Sequence, residues 1–141
     1  FAASGIRADE PRSPLLSDQP FNAFAGPFDS PQLGRTPGRN NVVAAGRIPD
    51  DWDVLTGRNI RWSAPLGSQT YGNPVVANGL VFVGTNNHAA YLPQYPTHVD
   101  LGVLLCFRES DGKFLWQHSC QKLPTGRVHD WPDQGICSAP V

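Results

Sequence analysis

Three cysteines and four histidines are the residues best suited to chemistry in this chain. His118, Cys120, His129 and Cys137, with Cys106, invite a zinc reading. The spacings His-x-Cys and His-x7-Cys match no common structural zinc pattern, so no metal site is expected. An odd cysteine count leaves two arrangements open, one bridge plus a free thiol or three buried thiols. Asp130-Trp131-Pro132-Asp133 places an aromatic between two carboxylates, either as a rim-loop binding element or as an acidic turn anchored by its Trp. Tyr91, Tyr95 and His98 share one irregular segment and carry the same two readings. Gly34-Arg35-Thr36-Pro37-Gly38-Arg39 mixes glycines and bases, but Pro37 lacks the N–H that a phosphate cradle needs. No nucleophile motif or general acid–base pair occurs, and no catalytic or cofactor-binding residue is assigned.

The elements that must position these groups are constrained by composition. Gly and Pro together make 28 of 141 residues, 14 of each. Both break helix interiors, which excludes a helical bundle. Hydrophobic residues reach 40% and charged residues only 16%, which is unlike a charge-driven disordered chain. The net charge of −1 gives no basic excess to recommend nucleic acid as a partner. The longest apolar run, Leu101 to Phe107, is far short of the ~20 residues of a membrane helix. The chain opens at Phe1, has no Met and shows no signal peptide, so it reads as processed or as an N-terminal fragment.

Residues 1–50 hold seven of the prolines and no apolar periodicity, and they read as an irregular arm. Phe21, Phe24 and Phe28 are spaced to pin such an arm across a surface. From Asp51 short β-type runs alternate with turns. Residues 58–63 alternate and predict an isolated strand. Asn73 to Ala77 and Leu80 to Gly84 flank Asn78-Gly79, the strongest short hairpin signal, because a type I′ turn needs positive φ at both central residues. A loop is expected from Thr85 to Leu101. Gly102 to Phe107 and Lys113 to His118 complete one four-stranded antiparallel sheet, and a further strand opens at 137.

Two segments echo each other. Thr56-Gly57-Arg58-Asn59-Ile60-Arg61-Trp62 matches Asp111-Gly112-Lys113-Phe114-Leu115-Trp116 with a one-residue offset. Gly72-Asn73-Pro74-Val75 is echoed by Cys137 to Val141. Trp62 and Trp116 lie 54 positions apart. A repeat of about 40–55 residues carrying four strands is the mark of a β-propeller blade. A blade with two apolar faces cannot bury itself alone and must stack on neighbours. The expected fold is therefore all-β, about one blade (73–118) with flanking strands, the strand at 58–63 closing the ring. On these grounds the chain alone is expected to be marginal or prone to associate.

Cys106 to Trp116 resembles the tryptophan-docking motif of quinoprotein-like propellers. Gly112, Lys113 and Trp116 match the motif, while Arg108 stands where the family usually has Asp. Pro74 to Gly84 is similar to the family's inner hairpin. The resemblance covers about residues 49–141, and more loosely Gly26 to Val43. It is strongest to bacterial PQQ-binding-like repeat proteins, akin to the propeller lipoprotein of outer-membrane protein assembly. It implies structural docking roles for Gly57, Trp62, Gly112, Lys113 and Trp116. It further implies an exported or periplasmic protein that binds other proteins without catalysis, with membrane anchoring by a segment ahead of Phe1 as one arrangement. In an oxidising compartment Cys120 and Cys137, which flank the insertion 121–135, become the pair for a disulfide. Two alternatives remain: a dehydrogenase of alcohols or sugars using PQQ and calcium, and a small-ligand or polysaccharide binding module. No Cys-Cys pair of the dehydrogenase kind occurs.

Overall fold

The hairpin forms where the Asn-Gly pair places it. Asn78 and Gly79 take φ of 53° and 74°, as a type I′ turn requires. They join β1 (Val75–Ala77) to β2 (Leu80–Asn86), with Ala77 opposite Leu80. β3 (Leu101–Arg108) pairs antiparallel with β2, and β4 (Phe114–Gln121) with β3. The sheet order is β1-β2-β3-β4. This computed structural model describes residues 29–35, 38–39, 49–122 and 131–140. Most of the expected arm, with Phe21, Phe24 and Phe28, lies outside the described residues, as do His129 and Asp130. What is described is all-β, a four-stranded antiparallel sheet with one short 3-10 turn at Asn87–Ala89. No helix among the described residues is long and apolar enough to cross a membrane.

Pairing register sorts the side chains onto two faces. One face carries Val83, Leu101, Val103, Leu105 and Phe107, all buried and packed together. Trp62, Ala64 and Leu66 cover it from one side, and Tyr91, Tyr95 and Val99 fill in around them. The opposite face carries the row Phe82, Cys106 and Trp116, set side by side by the ladder. Phe82 and Trp116 approach to 5.9 Å between ring centroids. Further along that face Ile136 lies against Gly84, where a Cβ would meet its Cγ2 at 2.7 Å. Between Cys106 and Phe107 the register shifts, leaving Leu115 as the extra residue of a bulge on β4.

Two strand expectations are corrected. Residues 58–63 join no ladder: Asn59 takes a positive φ of 60°, and Ile60 N–H donates to Gly57 O at 3.1 Å, so the chain is still turning there. Beyond it the expected alternation is real. Trp62, Ala64 and Leu66 are half-buried, while Arg61, Ser63 and Pro65 are exposed. This period of two marks a strip laid across the sheet face instead of a strand paired at its edge. Residues 137–140 likewise form no ladder, although Ile136 N–H donates to Thr85 O at 3.1 Å. The loop expected from Thr85 begins later, because Thr85 and Asn86 continue β2 with buried, hydrogen-bonded side chains.

Candidate functional site

The turn between β3 and β4 is built by Arg108, Asp111 and Gly112. Arg108 N–H donates to Lys113 O at 2.9 Å, and Gly112 N–H donates to Arg108 O at 2.8 Å. Asp111 caps the turn: Oδ1 accepts from Lys113 N–H at 3.0 Å, and Oδ2 pairs with Arg108 at 3.0 Å. Arg108 and Asp111 thus cap the turn together. Gly112 has φ of 70°, a conformation that side chains disfavour. A Cβ there would also lie 2.5 Å from Trp62 Cδ2 and Cε3. The indole of Trp62 lies directly on the glycine. Its Nε1–H donates to Glu109 O at 2.7 Å, and its ring stands 6.3 Å from that of Phe107. Glu109 N–H in turn donates to Gly79 O at 2.9 Å, tying the seat to the hairpin.

The echo of this turn has the same backbone closure. Asp53 N–H donates to Arg58 O at 3.1 Å, matching the Arg108–Lys113 bond 55 positions later. Gly57 takes φ of 74°, like Gly112. Asp53 caps the turn, accepting from Leu55 N–H at 2.8 Å and from Thr56 Oγ1 at 2.8 Å. The Thr56 hydroxyl bond, followed by the Leu55 amide, lowers the Asp53 carboxyl below its ordinary value. Asp51 braces the outside, pairing with Arg58 at 2.8 Å and accepting from Asn59 Nδ2 at 2.9 Å. Among the described residues, nothing lies within 4 Å of a Cβ at Gly57. Around this open seat Trp52, Val54 and Leu55 are 70%, 80% and 95% exposed.

The remaining motif residues are placed plainly. Trp116 is half-buried on the Phe82 and Cys106 face, away from Trp62. Lys113 is exposed, and it serves the turn through its backbone N–H and C=O. Cys120 and Cys137 are exposed free thiols. Just before Cys137, Ile136 packs against both Gly84 and Gly102, its N–H donating to Thr85 O at 3.1 Å. Cys106 is fully buried, and burial pushes its thiol up to about 11.

A second cluster, not foreseen from the sequence, forms at the end of β2. Thr85 Oγ1 accepts from Gly67 N–H at 3.1 Å and donates to Gln69 O at 2.9 Å. Asn86 accepts from Ser68 N–H at 3.0 Å and donates to Ser68 Oγ and to Asp133 O. Asn87 donates to Tyr95 O and Pro96 O, each at 3.0 Å. Three consecutive buried polar side chains therefore fasten three loops to one strand end. Glycines permit the close approach: a Cβ on Gly67 or Gly135 would come within 2.0 Å of Asn86 Oδ1 or Thr85 O. Outside this node His88 Nε2 meets Asp133 Oδ1 at 3.0 Å, Asp133 N–H donates to Asp100 Oδ2 at 3.2 Å, and Lys122 stands 3.8 Å from Asp100.

These contacts decide several candidate readings. Tyr91 stacks on Phe114 at 4.4 Å and donates its hydroxyl to Pro65 O at 2.8 Å, which makes it a core residue, and burial raises its phenol. Tyr95 contributes its backbone to the Asn87 node, while His98 and His118 are exposed. Trp131 is exposed and Asp133 is engaged by His88. No three His, Cys, Asp or Glu side chains among the described residues converge on a point that could hold a metal ion. Calcium needs about six to eight oxygens, and the neighbouring carboxylates Asp100 and Asp133 are bound up with Lys122 and His88. No protein-family model, curated protein or solved structure gives a significant match to the chain.

Proposed function

We propose that this chain belongs to a stack of β-propeller-type units and works as an exported, non-enzymatic scaffold that binds proteins. The observation that carries the reading is the doubled turn. The turn at 108–113 is covered by an indole from the preceding segment, and its echo at 53–58 repeats the closing bond and the positive-φ glycine with no described residue lying on it. Such a pair suits a unit that is covered by one neighbour and offers itself to another. The well-fastened parts of the site, Trp62, Gly112 and the Thr85–Asn87 node, are holding elements. The exposed groups around Gly57 include the apolar Trp52, Val54 and Leu55, rimmed by the charged Asp51–Arg58 pair, a mixture found at contact surfaces. Export and the resemblance to PQQ-binding-like repeats belong to the same proposal.

The test is a dye-linked oxidation assay of the protein supplied with PQQ and Ca²⁺, across alcohols and sugars. The scaffold reading expects no dye reduction above the cofactor blank. Turnover would overturn it in favour of a quinoprotein dehydrogenase.

A further inference from the structure

We propose that the loops 67–72 and 131–138 together form a binding platform for a neutral glycan, a chain of β-linked pyranoses laid across the rings of Trp131 and Tyr71. This goes beyond the protein-scaffold reading and does not depend on it. It gives a use to the Trp-Pro-Asp turn at 131–133, which the docking contacts leave without one.

The platform is built on the buried node at the end of β2. Asn86 donates to Ser68 Oγ and to Asp133 O, and its Oδ1 accepts from the amides of Ser68 and His88. Further along, a Cβ on Gly72 would meet Ser138 O at 2.8 Å. The two loops therefore run side by side, from Ser68 near Asp133 to Gly72 beside Ser138. The chain from Ser68 to Gly72 spans at most about 14 Å. Each end carries a large aromatic ring left in solvent. Trp131, just ahead of Asp133, is 70% exposed, and Tyr71, next to Gly72, is 63% exposed. The turn that carries Trp131 is closed and tied down. Gln134 N–H donates to Trp131 O at 3.1 Å, Asp133 takes a φ of 60°, and Lys122 reaches both Trp131 O and Gln134 O. Tyr71 is steadied by its hydroxyl bond to Gln69 Oε1 at 3.0 Å. Rings fixed before binding lose little freedom when a ligand lies on them.

The chemistry beside the rings selects the ligand. An aromatic ring presents a negative face. A pyranose with equatorial hydroxyls turns its axial C–H groups to such a face and keeps its hydroxyls free to bond sideways. Polar groups border the platform: Ser68, Gln69 and Thr70 on one loop, and Asp133 on the other with His88 and Asp100 beside it. An ionised carboxylate offers about four acceptor sites, and among the described residues Asp133 uses one on His88 Nε2. Acceptors of this kind call for a ligand rich in donors, which a polyol is. A proline-rich peptide, another guest of exposed aromatics, brings carbonyl acceptors and few N–H donors. Charge narrows the choice further. Lys122 is held against Asp100 at 3.8 Å, and His88 against Asp133 at 3.0 Å. No basic excess among these groups favours a uronic or sulfated polymer.

Isothermal titration calorimetry of the whole chain with cellohexaose and with chitohexaose tests this. The two probes share a β-linked pyranose backbone and differ in the acetamido group, so the two arms show whether that group is read. At least one should bind saturably with a Kd of about 1 mM or tighter. Trp131→Ala and Tyr71→Ala should each weaken that binding at least about tenfold, the scale of a lost hot spot. Trp131→Phe keeps a ring and should stay within about threefold of wild type. Both rings are exposed, so far-UV circular dichroism should show the sheet unchanged in every variant. Absence of saturable binding by both hexasaccharides would overturn the proposal. So would binding indifferent to either alanine variant, or decaproline that binds more tightly than either sugar and loses its site with Trp131→Ala.

Discussion

Removing the Trp62 indole should cost the sheet much of its stability. A Trp→Ala change in a full core costs about 3–5 kcal/mol. Trp62 is only partly buried, so about half of that range, ~2 kcal/mol, is the appropriate transfer and packing loss. The change also removes the hydrogen bond to Glu109 O, worth about 1 kcal/mol net. The sum is about 3 kcal/mol, a large share of the roughly 5–15 kcal/mol that holds a domain together. With a urea m-value of about 2 kcal/mol/M, the midpoint should fall by about 1.5 M. Unfolding is best followed by far-UV circular dichroism, since fluorescence would change with the residue itself. Repeating the measurement at several protein concentrations separates unfolding from any self-association. Trp62→Phe keeps a ring on Gly112 and loses the N–H, so it should fall by roughly a third as much. A Trp62→Ala midpoint within about 0.3 M of the parent would refute the reasoning.

Gly135→Ala and Gly67→Ala should each destabilise more than Gly79→Ala. A Cβ meets Thr85 O or Asn86 Oδ1 at 2.0 Å at the first two and nothing within 4 Å at the third, and urea midpoints would rank them. Without reductant, two thiols should react quickly with a chromogenic disulfide at pH 8, those of Cys120 and Cys137. Cys106, held up to about 11 by burial, should react only on unfolding; a count of zero fast thiols would show the Cys120–Cys137 bridge instead. Asp53 should titrate below the ordinary carboxylate value, so its contribution to the turn is complete above that value and is lost as pH falls through the lowered one. Thr56→Ala, which removes the first cause, should move an NMR-detected midpoint back up.

Local rules made the sheet legible and left its surroundings obscure. Asn78-Gly79 announced its turn because its requirement for positive φ is met within two residues. The alternation from Ile60 to Leu66 was equally visible, but alternation reports a chain with two different sides and not what lies beside it. Only the tertiary arrangement shows that Trp62, Ala64 and Leu66 face down onto a sheet and have no strand alongside. The Thr85-Asn86-Asn87 run looked like the start of a loop because its partners, Gly67 to Gln69, Tyr95 to Val99 and Asp133, are scattered through the sequence. A buried polar triplet acquires meaning when its bonds can be traced. The docking glycines were found through repetition, the one long-range signal a single sequence contains. Repetition did not reveal that Trp62 covers one of the two and that no described residue covers the other.

The central claim is that one repeated turn exists here in two states, with the Trp62 indole on Gly112 and no described indole on Gly57. Proton NMR of the dilute protein tests it most directly. An aromatic ring lying on a glycine moves that residue's Hα resonances strongly upfield and gives cross-relaxation between ring and Hα protons. The account predicts both effects at Gly112, from Trp62, and neither at Gly57. Unshifted Gly112 resonances with no contact from the Trp62 ring would contradict it.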